Sequence, residues 1–289
     1  MNFPDRYERD IKWRSQVELI PVPCYSSTDF RLTQGALEST YQKLIKRGIN
    51  VRGVLITNPS NPVGYVLDQT MLASVLAFVT DKKIHLIVNE IYAACVMEGY
   101  KFTSIAEVLE SQPKCNRSYV HILYGLSKDL GISGFRVGAF YSWNKQVVEA
   151  GSRMARFCAV STPTQKLCTS LLGDGNFMSM YLAENRRRIT ERHHKVVFHL
   201  EKAGIRTSKC EGGLFCWIDL QQVLRLCNKE EEMKLWKHLL YKIGLHLNPG
   251  FSCCCTEPGW FRLCFATCDD STLSVALHRL ENFMQRPEY

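Results

Sequence analysis

Short apolar segments alternate with helical patterns through the first half of this 289-residue chain. The apolar segments are each followed by a polar turn and lie at 51–57, 84–88, 119–124 and 137–142. Helical patterns precede or separate them at 33–48, where Gly48 suits a helix end, and from Asp68 to residue 80. Strands that are connected through helices run parallel and are covered by those helices. The alternation therefore predicts an α/β fold with a mostly parallel sheet and flanking helices.

The second half of the chain has a different pattern. Long helices are predicted at 144–158, 163–172 and 176–203, followed by strands at 213–220 and 260–266 and a closing helix from Asp270 to about Gln285. A chain of this length suits one large and one smaller domain. We predict a large α/β domain in 1–150, of which the resemblance described below implies only the later part, and a small α+β domain in 151–289.

Charge and cysteine content limit the partners that the chain is expected to bind. The formal net charge of +8 is a mild excess over 289 residues. The densest basic run, 186–188, lies in an amphipathic helical pattern, so a solvated helix face is preferred over nucleic-acid binding. The 13 cysteines include no CxxC pair and no zinc-ligand spacing, which indicates reduced thiols in a cytoplasmic protein. Residues 1–10 lack the apolar region of a signal peptide, and no apolar stretch predicts a membrane span.

Polar motifs follow three of the predicted strands, at the point where each strand ends. They are NPSNPVG at 58–64, NEIY at 89–92 and SKDLGISGFR at 127–136. Because ligands bind at the carboxyl ends of parallel strands, we expect these motifs to meet on one edge of the sheet. Lys128 in a Ser- and Gly-rich loop, with Arg136 eight residues later, suits a covalent amine and a cation for a phosphate. The residues alone predict either a phosphate-containing cofactor or an ordinary glycine-rich loop.

The segment YGLSKDLGISGFRVG at 124–138 resembles the Schiff-base segment of class I/II aminotransferases, which depend on pyridoxal 5'-phosphate (PLP). It is most similar to the form found in 1-aminocyclopropane-1-carboxylate synthases and their animal synthase-like relatives. Further motifs occur in the family's order: TNPSNPVG at 57–64, HLIVNEIYAA at 85–94, EGGLFCWIDL at 211–220 and EPGWFRLCFA at 257–266. The resemblance covers essentially the whole chain. It implies a fold-type-I PLP-dependent transferase fold with an incomplete large domain.

The resemblance also implies a role for each residue of a cofactor site. Lys128 would form the Schiff base with PLP and later move the proton at the substrate α-carbon. Arg136, helped by Ser127, would bind the cofactor phosphate. Asn61 and Tyr92 would hydrogen-bond the 3′-oxygen of the pyridine ring and so lower the pKa of the imine. The alternatives are that Asn61 is a plain turn residue and that Tyr92 is a packing residue.

A substrate site is implied in the same way. Arg262 would form a bidentate pair with the α-carboxylate of an amino-acid substrate, for which a planar guanidinium is suited. An arginine between apolar neighbours in a strand needs a partner, and a structural partner is the alternative. Family members are typically dimers with sites at the subunit interface, so the resemblance also implies a homodimer.

Three departures from the family limit the expected activity. The acid that pairs with the pyridine nitrogen is replaced by Asn89, and Glu90 is a poor substitute because successive strand side chains point to opposite faces. PLP binding is therefore expected with much slower chemistry at the α-carbon. Gly125 replaces a serine that often contacts the phosphate, a loss of about 1–2 kcal/mol. The resemblance also starts late, so an N-terminally truncated chain with an exposed sheet edge and apolar face is expected.

Two classes of function remain open from the sequence. The first is a PLP-dependent enzyme of the transaminase or lyase type. The second is a catalytically impaired homologue or fragment that serves as a scaffold or interaction protein. Asn89 and the late start favour the second class, whereas the retained Lys128 and Arg262 favour the first.

Overall fold

The computed structural model describes residues 11–287, and the charged segment 1–10 lies outside the described residues. The chain divides into two compact units. The first unit comprises Tyr41–Ser60 and Val66–Arg188, and the second comprises Met1–Thr40, Asn61–Tyr65 and Ile189–Tyr289. Compactness does not define an independently folding domain. The predicted domain boundary at residue 150 therefore stays a prediction.

The first unit contains a sheet of four strands in chain order: β1 (Gly53–Thr57), β2 (His85–Asn89), β3 (Val120–Gly125) and β4 (Gly138–Ser142). β1, β2 and β3 are parallel, and β4 is antiparallel to β3. Asn89 lies opposite Thr57 on one side and Leu123 on the other. The polar motifs that follow these three strands therefore begin at the same edge of the sheet. The prediction of a mostly parallel sheet is confirmed.

In the part of the chain that the structure describes, helices form at the six predicted places and at three others, 105–110, 126–129 and 229–238. They are α1 (Gln34–Lys46), α2 (Gln69–Lys82), α3 (Ile105–Glu110), α4 (Leu126–Asp129), α5 (Lys145–Ala155), α6 (Thr162–Gly173), α7 (Gly175–Lys202), α8 (Lys229–His238) and α9 (Asp270–Gln285). Asp68 caps α2 as predicted, since its carboxylate accepts a hydrogen bond of 2.7 Å from the Met71 N–H. The basic run in α7 is exposed, and Glu184 pairs with Arg187 and Arg188 at 2.8 and 2.7 Å. The run therefore lies on an exposed helix face, as the helical pattern predicts.

Both outer strands of this sheet pair on one side only within the described residues. In β4 the first four residues are exposed and only Ser142 is buried. Its aromatic residues Phe140 and Tyr141 are 39% and 55% exposed. Large exposed apolar side chains continue into α5 and its end, with Met154 at 58% and Phe157 at 86%. The expected open edge and exposed apolar face are therefore present in the first unit.

The second unit contains an antiparallel sheet in the order β5 (Arg206–Thr207), β6 (Phe215–Asp219), β8 (Trp260–Cys264) and β7 (Asn248–Pro249). Its core holds Trp217 and Trp260, whose rings stack at 6.1 Å, with Phe30 packed edge-on against both. These aromatic rings are all almost fully buried. They fix the sheet that carries Arg262. The predicted small α+β part, with strands near 213–220 and 260–266, is confirmed in its strands and its closing helix.

All thirteen cysteines are free thiols. Within residues 11–287, no group of three potential ligand side chains is placed to hold a metal ion. No helix of the described part of the chain is long and apolar enough to cross a membrane.

A histidine pair links β2 to β3 near the amino-terminal ends of these two strands, and a hydroxyl extends the link to β4. His85 Nδ1 and His121 Nε2 lie 2.9 Å apart, and His121 Nδ1 lies 2.8 Å from the Ser142 hydroxyl. Burial lowers the pKa of both rings below their ordinary value of 6.5, and the charge of Arg52 lowers that of His85 further. The unfolded chain therefore binds more protons than the folded chain as the pH falls below 6.5.

We expect the stability contributed by this pair to be complete above pH 6.5 and to be lost as the pH falls below it. Urea unfolding of the wild type and of His121→Gln, measured between pH 7.5 and 5.0, checks this. The variant should show a shallower loss of unfolding free energy on acidification. His246→Gln, at an exposed position, should retain the wild-type slope. Equal slopes in all three proteins would contradict the prediction.

Candidate functional site

Lys128 lies in α4, directly after β3 ends at Gly125. Its side chain is half-buried, and its amine makes no hydrogen bond or ion pair with any described residue. A Cβ atom on Gly125 would lie 3.3 Å from the Val137 carbonyl oxygen, so the backbone is closely packed at the base of this turn. The structure thus presents a primary amine at the carboxyl end of a central strand, without a partner among residues 11–287. We call residues 126–130 the lysine turn.

Asp129 anchors the lysine turn to the segment after β2. Its carboxylate accepts hydrogen bonds from the Ala94 N–H at 3.0 Å, the Cys95 thiol at 3.2 Å and the Tyr124 hydroxyl at 2.9 Å. The residue is 1% exposed. Burial raises the pKa of the Asp129 carboxyl above its ordinary value and outweighs the opposing effect of these donors. No role for Asp129 was predicted, because sequence alone does not show where a side chain next to the lysine points.

Helix α7 holds the other side of the same turn. Tyr181 donates its hydroxyl to the Leu130 carbonyl at 2.9 Å, and the Asn185 amide donates to the Asp129 carbonyl at 3.3 Å. Leu126, Leu130 and Cys168 form a small buried cluster beneath these bonds. The Lys128 backbone is therefore fixed from both sides, while its amine makes no hydrogen bond within the described part of the chain.

Asn89 and Glu90, at the end of β2, make hydrogen bonds to different segments of the chain. Asn89 is 6% exposed, and its Oδ1 accepts a hydrogen bond from the Ile91 N–H at 3.2 Å. Glu90 accepts from the Ser104 hydroxyl and from the Ile105 N–H at 2.9 Å, where α3 begins. Burial raises the pKa of Glu90 against the effect of these donors. The Glu90 carboxylate caps a helix, so the prediction that it cannot replace the missing acid at position 89 is supported by its contacts.

The remaining predicted cofactor residues of the first unit differ in exposure. Tyr92 is 6% exposed, Ser127 is half-buried and Arg136 is exposed. Arg136 adopts a left-handed backbone conformation with φ of 57°, and its Nη1 donates to the Ser133 carbonyl at 2.9 Å. This is its one hydrogen bond to a described residue, and it leaves most of the guanidinium donors available for an anion.

The second unit brings together Asn61 and Arg262. Arg262 Nη1 donates to Asn61 Oδ1 at 2.8 Å, and Nη2 donates to Asn248 Oδ1 at 3.0 Å. The guanidinium carbon lies 5.2 Å from the centre of the Phe215 ring. Among the described residues Arg262 has no acidic partner, and its Nε is buried without a hydrogen bond. We call these four residues the arginine site, and the chemistry of its guanidinium suits an anion.

The structure therefore distributes the seven predicted site residues over its two units. Lys128, Ser127, Asn89, Tyr92 and Arg136 lie in the first, and Asn61 and Arg262 lie in the second. Asn61 uses its oxygen on Arg262, and its amide nitrogen has no partner among the described residues. The predicted roles of all seven in cofactor and substrate binding stay predictions.

Solved structures with a similar fold include two that are aminotransferases by name. The aromatic aminotransferase of Pyrococcus horikoshii OT3 matches with a TM-score of 0.79 at 22% identity, over 93% of this chain and 68% of that chain. An aspartate aminotransferase of Thermus thermophilus matches with a TM-score of 0.74 at 19% identity, over 91% and 63%. These likenesses show the class of fold, that of fold-type-I transferases, and confirm the predicted fold.

Sequence comparison shows the family. Aminotransferase class I and II matches residues 5–280. A 1-aminocyclopropane-1-carboxylate synthase of Glycine max is 45% identical over 280 residues, which is 96% of this chain and 58% of that protein. The 1-aminocyclopropane-1-carboxylate synthase 8 of Arabidopsis thaliana is 46% identical, over 97% of this chain and 61% of that protein. The chain belongs to the aminotransferase class I and II family, and it spans about three fifths of the length of these curated relatives.

Proposed function

We propose that this chain binds PLP at Lys128 and acts on an amino acid through a Schiff base, as a cytoplasmic protein of the animal 1-aminocyclopropane-1-carboxylate synthase-like type. The observation that carries the proposal is the lysine turn. It holds the Lys128 backbone in place through Asp129 and α7, yet leaves the amine without a partner among the described residues. A structural lysine would be expected to use its charge, whereas a covalent amine has to stay available.

The side chains of the first unit suit the aldehyde and the phosphate of PLP, but not its pyridine nitrogen. The first unit offers an amine at Lys128, a hydroxyl at Ser127 and a guanidinium with spare donors at Arg136, which suit an aldehyde and a phosphate. The set does not fit at the pyridine nitrogen, because Asn89 carries no charge there. The residues present therefore suit binding better than they suit turnover.

Each of the proposed site residues would have its own role in binding or proton transfer. Lys128 would hold the cofactor and then move the proton at the substrate α-carbon. Arg262 would bind and orient the α-carboxylate, since no acid competes for its charge. The free amide nitrogen of Asn61 would donate to the 3′-oxygen, together with Tyr92. PLP, when bound, supplies the electron-withdrawing ring that acidifies the α-hydrogen.

A second function is a scaffold or interaction protein that has lost turnover. Asn89 in place of an acid favours it, as does the exposed apolar face that includes Phe140 and Phe157. A homodimer is proposed for either function, and an amino acid remains the proposed small-molecule ligand.

Borohydride trapping tests the proposal. We expect the full chain, incubated with PLP and freed of excess, to absorb in the near-visible range and to retain phosphopyridoxyl on Lys128 after reduction. Lys128→Ala should lose the band and the adduct completely. Lys114→Ala, at an exposed position without a described partner, should behave like the wild type. No band in folded wild-type protein would overturn PLP binding and would favour the scaffold.

A further inference from the structure

The arginine site is built on one face of the second sheet. Arg262 in β8 lies opposite Trp217 in β6 and opposite Asn248 in β7. Residues that pair directly across a sheet share a face, and so do residues two apart in one strand. Phe215, two residues before Trp217, therefore also lies on this face and contacts the guanidinium. Asn248 thus reaches Arg262 by its register, not by chance proximity.

Arg262 uses only part of its donors in these contacts. Each terminal nitrogen of a guanidinium carries two N–H groups. Asn61 accepts one from Nη1 and Asn248 accepts one from Nη2. One N–H remains on each terminal nitrogen, which is the number that a bidentate carboxylate requires. Both acceptors are neutral amides, so the positive charge is oriented without being neutralised.

We infer that Asn248 is a positioning residue for carboxylate recognition: it orients the Arg262 guanidinium through an uncharged acceptor and so keeps the bidentate donors of Arg262 available. The inference rests on the proposed role of Arg262. The ligand class is a small carboxylate. Asn248 itself does not touch the ligand, and its contribution depends on being neutral. An acid of the same shape at this position would pair with Arg262 and compete with the ligand.

A purely structural role for Asn248 predicts a different result. If Asn248 only supported the fold, the alanine variant would lose stability, and an isosteric aspartate, which forms an ion pair with Arg262, would restore it. Carboxylate binding would then follow stability. Under the positioning role, Asn248→Asp is as stable as the wild type, or more so, while carboxylate binding is lost. A purely structural role for Asn248 does not predict that the Asn248→Asp variant keeps or gains stability while it loses affinity for a carboxylate.

The experiment uses the full chain, isotopically labelled with ¹⁵N, and maleate as the probe. The Arg262 side-chain N–H signal is assigned by its loss in Arg262→Lys and followed by NMR during titration, and thermal unfolding is recorded in parallel. We expect maleate affinity to fall about tenfold in Asn248→Ala and about a hundredfold in Asn248→Asp, the range found when an outer partner of a binding group is changed. Asn50→Asp, an exposed position with the same chemical change, should bind like the wild type.

Each outcome decides the inference. Equal maleate affinity in the wild type and both Asn248 variants would overturn it, as would a wild type whose Arg262 signal does not respond. Weaker affinity in Asn248→Ala, together with loss of affinity in Asn248→Asp at unchanged or higher thermal stability, supports it. An Asn248→Ala variant that binds maleate like the wild type overturns it, because the loss in Asn248→Asp then reflects the added charge alone. The titration needs no PLP, so a chain that binds no PLP but shows this pattern would refute the proposed Schiff-base function and leave the positioning role of Asn248 standing.

Discussion

Replacing Asp129 by alanine is expected to lower the free energy of unfolding by about 2–5 kcal/mol, because each buried donor that loses its acceptor costs about 1–3 kcal/mol. The carboxylate accepts hydrogen bonds from Ala94, Cys95 and Tyr124, and the residue is 1% exposed. The Tyr124 hydroxyl can turn to water, since this residue is 37% exposed. The Cys95 thiol has no such alternative, because this residue is 0% exposed, and the removed side chain also leaves a void.

Urea unfolding at pH 7 measures this loss. Asp129→Asn should lose less, about 1–2 kcal/mol, because an amide keeps one acceptor oxygen but turns an N–H towards a donor. Asp81→Ala is the matched control: Asp81 is exposed, and its ion pair with Lys82 at 3.0 Å is a surface contact worth about 1 kcal/mol or less. An Asp129→Ala protein as stable as the Asp81→Ala protein would show that the lysine turn does not depend on this anchor.

The architecture was predictable because its signals are local. Apolar runs between capped helices predicted β1 to β4 to within about two residues at their ends, and Asp68 caps α2 as expected. Elements without such a signal were missed. α3 has six residues, and β5 and β7 have two each, so no periodicity can develop within them. β7 exists because it pairs with β8, which is a contact between distant parts of the chain.

The candidate site was predictable in its residue types but not in its supporting contacts. Lys128 and Arg262 were found through motifs, whereas Asp129 and Asn248 depend on side-chain directions that no motif shows. Asn248 is separated from Arg262 by 14 positions and reaches it only through the register of a two-residue strand. For Glu90, by contrast, the sequence did predict the direction of the side chain. Alternation along a strand predicted that it points away from Asn89, and its bonds at the start of α3 agree with that direction.

Asn89→Asp is expected to restore the acid of the family and to separate cofactor binding from turnover. Asn89 is 6% exposed, and its Oδ1 already accepts the Ile91 N–H, a bond that an aspartate oxygen can keep. Burying a carboxylate in place of a neutral amide is costly, so the protein without PLP should lose about 2–4 kcal/mol of unfolding free energy. A protonated pyridine nitrogen would supply the missing charge. PLP should therefore stabilise the variant more than it stabilises the wild type.

Unfolding of both proteins with and without PLP checks the first part of this expectation, and exchange of the α-hydrogen of L-alanine in D₂O checks the second. Exchange should rise about a hundredfold or more in the variant, which is the order of effect that a preorganised charge exerts on a reacting group. Asn50→Asp makes the same substitution at an exposed position and should change neither quantity. If PLP stabilised Asn89→Asp and the wild type equally, Asn89 would not lie at the pyridine nitrogen. Greater stabilisation without faster exchange would mean that the acid alone does not restore turnover, and the scaffold function would then be favoured.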